Sequence, residues 1–103
     1  MSVVAEFSIF PIGRDVGVAP YVARVLKIIR KSDLDYELNP MGTCMEGELD
    51  RILAVVAECF RDLETDCDRV YGTLKIDSRR DGSGRLKGKV STVQQLMDNE
   101  EGE

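Results

Sequence analysis

The chain has 103 residues, 43% of them hydrophobic and 32% charged, with a formal net charge of -5. That length holds one domain, and a single core of this size gives only modest stability, so self-association is expected. The last six residues, DNEEGE, carry four acids and no base, leaving -1 for the other 97, and a near-neutral domain lacks the basic footprint of a nucleic-acid binder.

No apolar run reaches the ~20 residues needed to span a bilayer. The N-terminus also lacks a basic segment followed by an apolar block, so the expectation is a cytoplasmic protein with no signal peptide and no membrane partner. There is no histidine, which removes Ser–His and Cys–His nucleophiles and every His-based metal site. Cys44, Cys59 and Cys67 are odd in number without C-x-x-C spacing, and read as structural thiols.

In chain order, the stretch VVAEFSIFPI alternates. Val3, Ala5, Phe7 and Ile9 point one way and Val4, Glu6, Ser8 and Phe10 the other, as in a strand with one buried face. Pro11 and Gly13 end it. A helix is expected from about Val18, with Asp15 or Gly17 near its cap and Pro20 tolerated in the first turn. Its apolar stripe is Val18, Tyr21, Val22, Val25, Leu26 and Ile29, and Ser32-Asp33 closes it.

A short strand around Asp35–Asn39 and another around Thr43–Glu46 flank the break Asn39-Pro40-Met41-Gly42. The pair reads as a hairpin, or as a bent edge strand carrying Pro where no ladder bond is required. A second helix is expected over Glu48–Leu63, with Leu49, Ile52, Leu53, Val56, Cys59, Phe60 and Leu63 facing inward. RVYGTLKID alternates again, with Val70, Gly72, Leu74 and Ile76 on one face and Tyr71, Thr73, Lys75 and Asp77 on the other. RRDGSG is a loop, and a last helix places Leu86, Val90, Val93 and Met97 along one side.

This order of strand, helix, strand, strand, helix, strand predicts an α+β protein, a ferredoxin-like βαββαβ sandwich with an additional C-terminal helix. Residues 1–97 form the domain in this reading, and 98–103 an acidic, frayed tail. Two helices cover one sheet face. The other, with Glu6, Ser8, Phe10, Tyr71, Thr73, Lys75 and Asp77, is too apolar for bare surface and too polar for a dry core, so a second copy or a ligand is expected there.

The residues offer no catalytic set. GRDVG and GSGRLKG match neither the Walker nor the dinucleotide spacing, although the second could place Arg85 or Lys87 near an anion at a helix start. Glu6, Glu37, Glu46 and Asp77 have no evident nucleophile to serve. The expectation is therefore no enzyme, no cofactor and no metal.

YELNPMGTCMEGELDRILAVV, with FSIFPIG before it and LKIDSRRD after it, resembles the small thiamine-binding, YkoF-like family over residues 3 to 97. The resemblance implies a ferredoxin-like protomer, a homotetramer built as a dimer of dimers, and non-catalytic binding of thiamine or its hydroxymethylpyrimidine half near subunit interfaces. It also suggests a role for the break. Pro40 would free the backbone of Met41, Gly42 and Thr43 from the ladder to meet a heterocycle, with Gly42 allowing close approach or positive φ.

In that picture Ser8, Asn39, Met41, Gly42, Thr43, Glu46 and Tyr71 bind the ligand, and a thiazolium cation would favour nearby acids and aromatic faces. The alternatives stay beside it. Pro-Met-Gly-Thr could be a bent edge seating a neighbouring protomer, and Glu46 a helix-entry acid. Arg79 and Arg80 could pair with another subunit or hold an anion, and the whole could be an oligomeric structural or regulatory module for another small effector.

Overall fold

A computed structural model describes residues 2–13, 17–80 and 85–101. The elements are β1 (Ser2–Pro11), α1 (Ala19–Lys31), β2 (Asp35–Asn39), β3 (Gly42–Gly47), α2 (Leu49–Glu64), β4 (Val70–Arg79) and α3 (Arg85–Glu101). The strands form one antiparallel sheet in the order β2-β3-β1-β4. This is the ferredoxin-like α+β arrangement the sequence predicts, with the extra C-terminal helix.

The alternation in β1 sorts its residues as expected. Val3, Ala5, Phe7 and Ile9 are buried, and join Tyr21, Val25 and Ile29 of α1, Met45 of β3, and Ile52, Val55, Cys59 and Leu63 of α2 in one core. The inward face of α2 is turned toward Val55 relative to the expected stripe, so Leu49 and Leu53 are exposed. Packing against α1 and the sheet, rather than apolar periodicity alone, sets that rotation. Burial pushes the Cys59 thiol up to about 12, the behaviour of a structural cysteine.

The helix ends follow local chemistry. Pro20 sits in the first turn of α1, where its missing N–H costs nothing. The Ser32 amide bonds back to Ile28 and Ile29 carbonyls, and Asp33 then turns the chain at φ 62°, the left-handed conformation that commonly follows a helix C-terminus. Arg24 of α1 bridges to α2, with Nη1 2.9 Å from Asp66 and Nε 3.0 Å from Asp62. Asp66 and then Asp62 raise its pKa further above the ordinary guanidinium value.

Across the other face, Phe10 pairs with Tyr71, Ser8 with Thr73, Glu6 with Lys75 and Val4 with Asp77. The Phe10 and Tyr71 rings lie 5.6 Å apart, and Lys75 Nζ stands 3.9 Å from Glu6. This face is not wholly free of helix, because α3 begins over the end where Ser2 and Glu46 lie. Only Leu86 of the stripe expected in α3 is buried. Val90, Val93 and Met97, with Leu96, are exposed. The helix takes in Asp98–Glu101, part of the stretch expected to fray. Among the described residues no helix is long and apolar enough to cross a membrane.

Candidate functional site

The site begins with the turn between β2 and β3. Asn39 pairs with Gly42, so Pro40 and Met41 form a two-residue loop. Proline fixes φ near -65°, which closes this turn to the primed geometries that best match strand twist. Met41 is not at positive φ, so the turn belongs with type I rather than type II. Such turns splay the strands they join, and here the hairpin tip parts from β1. The β1–β3 register ends at Phe7↔Thr43, whereas β1 continues to Pro11 against β4.

This corrects the expectation that Pro40 releases Met41, Gly42 and Thr43 together. Gly42 and Thr43 remain in the ladder with Asn39 and Leu38, because a two-residue loop lets pairing resume at once. The residues without a ladder partner on the β3 side lie instead in β1, beyond Phe7. Gly42 is also not at positive φ; close approach is what it supplies. A β-carbon there would stand 3.0 Å from the Phe7 carbonyl oxygen.

The parting opens a cavity of about 330 Å³ between the end of β1, the hairpin and α1. Phe7, Ile9 and Phe10 form one wall, Val18, Val22 and Val25 of α1 another, and Leu38 to Thr43 the third. It therefore opens beside α1 rather than on the open sheet face. Of the expected site residues, Ser8, Asn39, Met41, Gly42 and Thr43 line it. Val22 and Val25 were expected only as stripe residues of α1; their position at the sheet end depends on tertiary packing that no local motif reports.

The other expected residues lie elsewhere. Tyr71 is not in the lining and reaches the site only through its ring contact with Phe10. Arg79 pairs with Ser2 at the far end of the sheet, and Arg80 follows it. Residues 81–84, Asp15, and the Arg85 and Lys87 side chains lie outside the described set. Glu46 is buried near that far end, where its carboxylate accepts from Ser2 Oγ at 2.6 Å and from the Leu86 N–H at 3.3 Å. It caps α3, a role that spacing could not reveal because the helix start is 40 residues downstream. Glu46→Ala is expected to lose about 1–3 kcal/mol, the cost of stranding buried donors, read as a lower urea midpoint; an unchanged midpoint would refute the capping role.

Beside the hairpin, Asn39 Nδ2 donates to Cys44 Sγ at 3.4 Å. Burial, then the charges of Glu6 and Glu37, push the Cys44 thiol up against that bond, so it stays protonated at neutral pH and makes a poor nucleophile. Among the described residues no group of three or more His, Cys, Asp or Glu side chains could hold a metal.

Comparison with known proteins bears on this geometry. The chain is 40% identical to a UPF0045 protein of Methanocaldococcus jannaschii over 91% of its length and 94% of the relative's. A Bacillus subtilis member of the same group is 34% identical over 87% and 92%. A solved structure of the M. jannaschii protein superposes with a TM-score of 0.84 over 90% of this chain and 96% of that one. A candidate thiamine biosynthesis/salvage protein of Thermotoga maritima, 28% identical, superposes at 0.80 over 90% and 99%. The profile of the thiamine-binding proteins matches residues 5–94, nearly the whole of the described fold, and the chain belongs to the thiamine-binding protein family.

Proposed function

We propose that this protein is a non-catalytic binder of thiamine or its hydroxymethylpyrimidine moiety, acting in the cytoplasm as a homotetramer built from two dimers. The observation that carries the reading is the cavity between β1, the Pro40-Met41 hairpin and α1. At about 330 Å³ it lies at the small end of the ~300–1,000 Å³ range of ligand sites, and its apolar walls with few polar groups are the usual composition of one. Ser8, Asn39, Met41, Gly42 and Thr43 are the ligand contacts in this reading; Glu46 and Tyr71 act from outside the lining. Family membership supports the ligand class. The absence of histidine and the protonated state of Cys44 favour binding over turnover.

A second reading is favoured by α3, whose Val90, Val93, Leu96 and Met97 are exposed. An oligomeric structural or regulatory module, holding another small effector or an anion at Arg79 and Arg80, would account for such a helix. Thermal unfolding with thiamine, hydroxymethylpyrimidine and thiamine phosphates separates the two. A ligand at 100 times its dissociation constant that binds only the folded state adds about 2.7 kcal/mol, several degrees for a domain of this size. A selective shift is expected; no shift with any of them would favour the assembly module.

A further inference from the structure

The backbone of β1 carries information that the side chains of the site do not. In an antiparallel strand alternate residues turn both N–H and C=O to the same edge. The Phe7 carbonyl faces β3, since it is the nearest atom to a β-carbon built on Gly42. The Ser8 carbonyl faces β4, 3.3 Å from a β-carbon built on Gly72, and the Ile12 N–H donates to the Arg69 carbonyl on that same side. Ile9, in phase with Phe7, therefore turns its N–H and C=O toward β3. No residue of β3 stands opposite it, because that register ends at Phe7↔Thr43, and Ile9 lines the cavity.

A second, independent observation lies across the cavity. Thr43 is only 5% exposed and lines the same space. Among the described residues its hydroxyl has no hydrogen-bond partner. Buried polar groups are ordinarily satisfied, and an orphan calls for an explanation such as a bound molecule. The charge of the lining is equally informative: no described lining residue is ionisable. An ion placed there would lose its hydration without a counter-charge.

We propose that the cavity selects uncharged, planar nitrogen heterocycles, with the Ile9 backbone edge and the Thr43 hydroxyl as its recognition groups, over permanent cations and phosphate esters. This rests on the reading of the cavity as the binding site and names the class of ligand it takes. A ring edge carrying an amino donor beside a ring-nitrogen acceptor matches a strand's adjacent C=O and N–H, the same pairing a further strand would make. The Thr43 hydroxyl donates or accepts as the ring requires. A positively charged ring attached to such a heterocycle has to stay at the mouth, and a phosphate has no cationic partner among the described lining residues.

The test is calorimetric titration of the full chain with hydroxymethylpyrimidine, its phosphate, thiamine and thiamine monophosphate. The neutral pyrimidine is expected to bind at least about tenfold tighter than thiamine and about a hundredfold tighter than either phosphate. Thr43→Val should weaken it about tenfold and Thr43→Ser should restore it, with Val22→Trp filling the cavity and abolishing binding. Thiamine or a phosphate binding as tightly as the pyrimidine would overturn the charge selection. Unchanged affinity in Thr43→Val would overturn the recognition role; in both cases continued blockage by Val22→Trp leaves the cavity as the site. Undiminished binding in Val22→Trp, or no binding of any ligand, would remove the site reading and this inference with it. Should Thr43→Val fail to fold, the ligand series on the unmodified chain decides.

Discussion

Met45→Ala is expected to lower the free energy of unfolding by about 2–5 kcal/mol, the range for truncating a large buried side chain to alanine. Met45 is fully buried and sits on β3 between Ala5 of β1 and Tyr36 of β2. Its side chain lies on the sheet face that α1 and α2 cover, where a flexible thioether fills space that rigid neighbours leave. The strands around it hold their positions through backbone pairing, so little collapse can fill the hole. Against a total of about 5–15 kcal/mol for a domain, this is a large fraction. Chemical denaturation of the variant and the parent chain measures it, and a loss below about 1 kcal/mol would show that the core repacks.

Gly42→Val is expected to cost about 1–3 kcal/mol through overpacking and to abolish ligand binding in the molecules that fold. A first carbon on residue 42 meets the Phe7 carbonyl at 3.0 Å; that oxygen is backbone, fixed in the ladder, and cannot swing aside. The strain falls where β3 leaves β1, at the mouth of the cavity. The sequence alone suggested that this substitution would remove affinity and spare the assembly. The geometry makes it a probe of both stability and binding, to be read by a urea titration alongside the ligand titration. A variant as stable as the parent that still binds would show that the mouth tolerates the added carbons.

The sheet and both covering helices were legible because period-two alternation and three-four spacing are local. Val3, Ala5, Phe7 and Ile9 announce their shared face without reference to any other segment. The hairpin was legible for a comparable reason, since Asn39-Pro40-Met41-Gly42 is a turn by its own chemistry. What Pro40 does was less accessible. Reading it as a release of the next three residues misplaced the consequence by one strand, because the splay of a type I turn is felt by β1.

Glu46 shows the same limit. Its neighbours Gly47 and Glu48 suggest a helix-entry acid, yet its hydrogen bonds reach Ser2 and Leu86. The faces of α2 and α3 mark a further boundary. Apolar spacing indicates that a stripe exists, while the partner that covers it decides which residues are buried. For α2 the partner turned the face toward Val55, and Val90, Val93 and Met97 of α3 are uncovered in the isolated chain.

The strand order has a consequence for how the chain is made. β1, the first segment synthesised, occupies a central position and pairs on one side with β3 and on the other with β4. Translation at ~5–20 residues per second separates completion of Gly47 from completion of Arg79 by roughly 2–6 s. Closing such distant pairings is slow in any case, because loop entropy must be overcome first. A ribosome-bound chain therefore holds β1 with one edge open until Val70–Arg79 has left the exit tunnel, and during those seconds that edge is the part of the nascent protein most in need of shelter from a neighbouring chain.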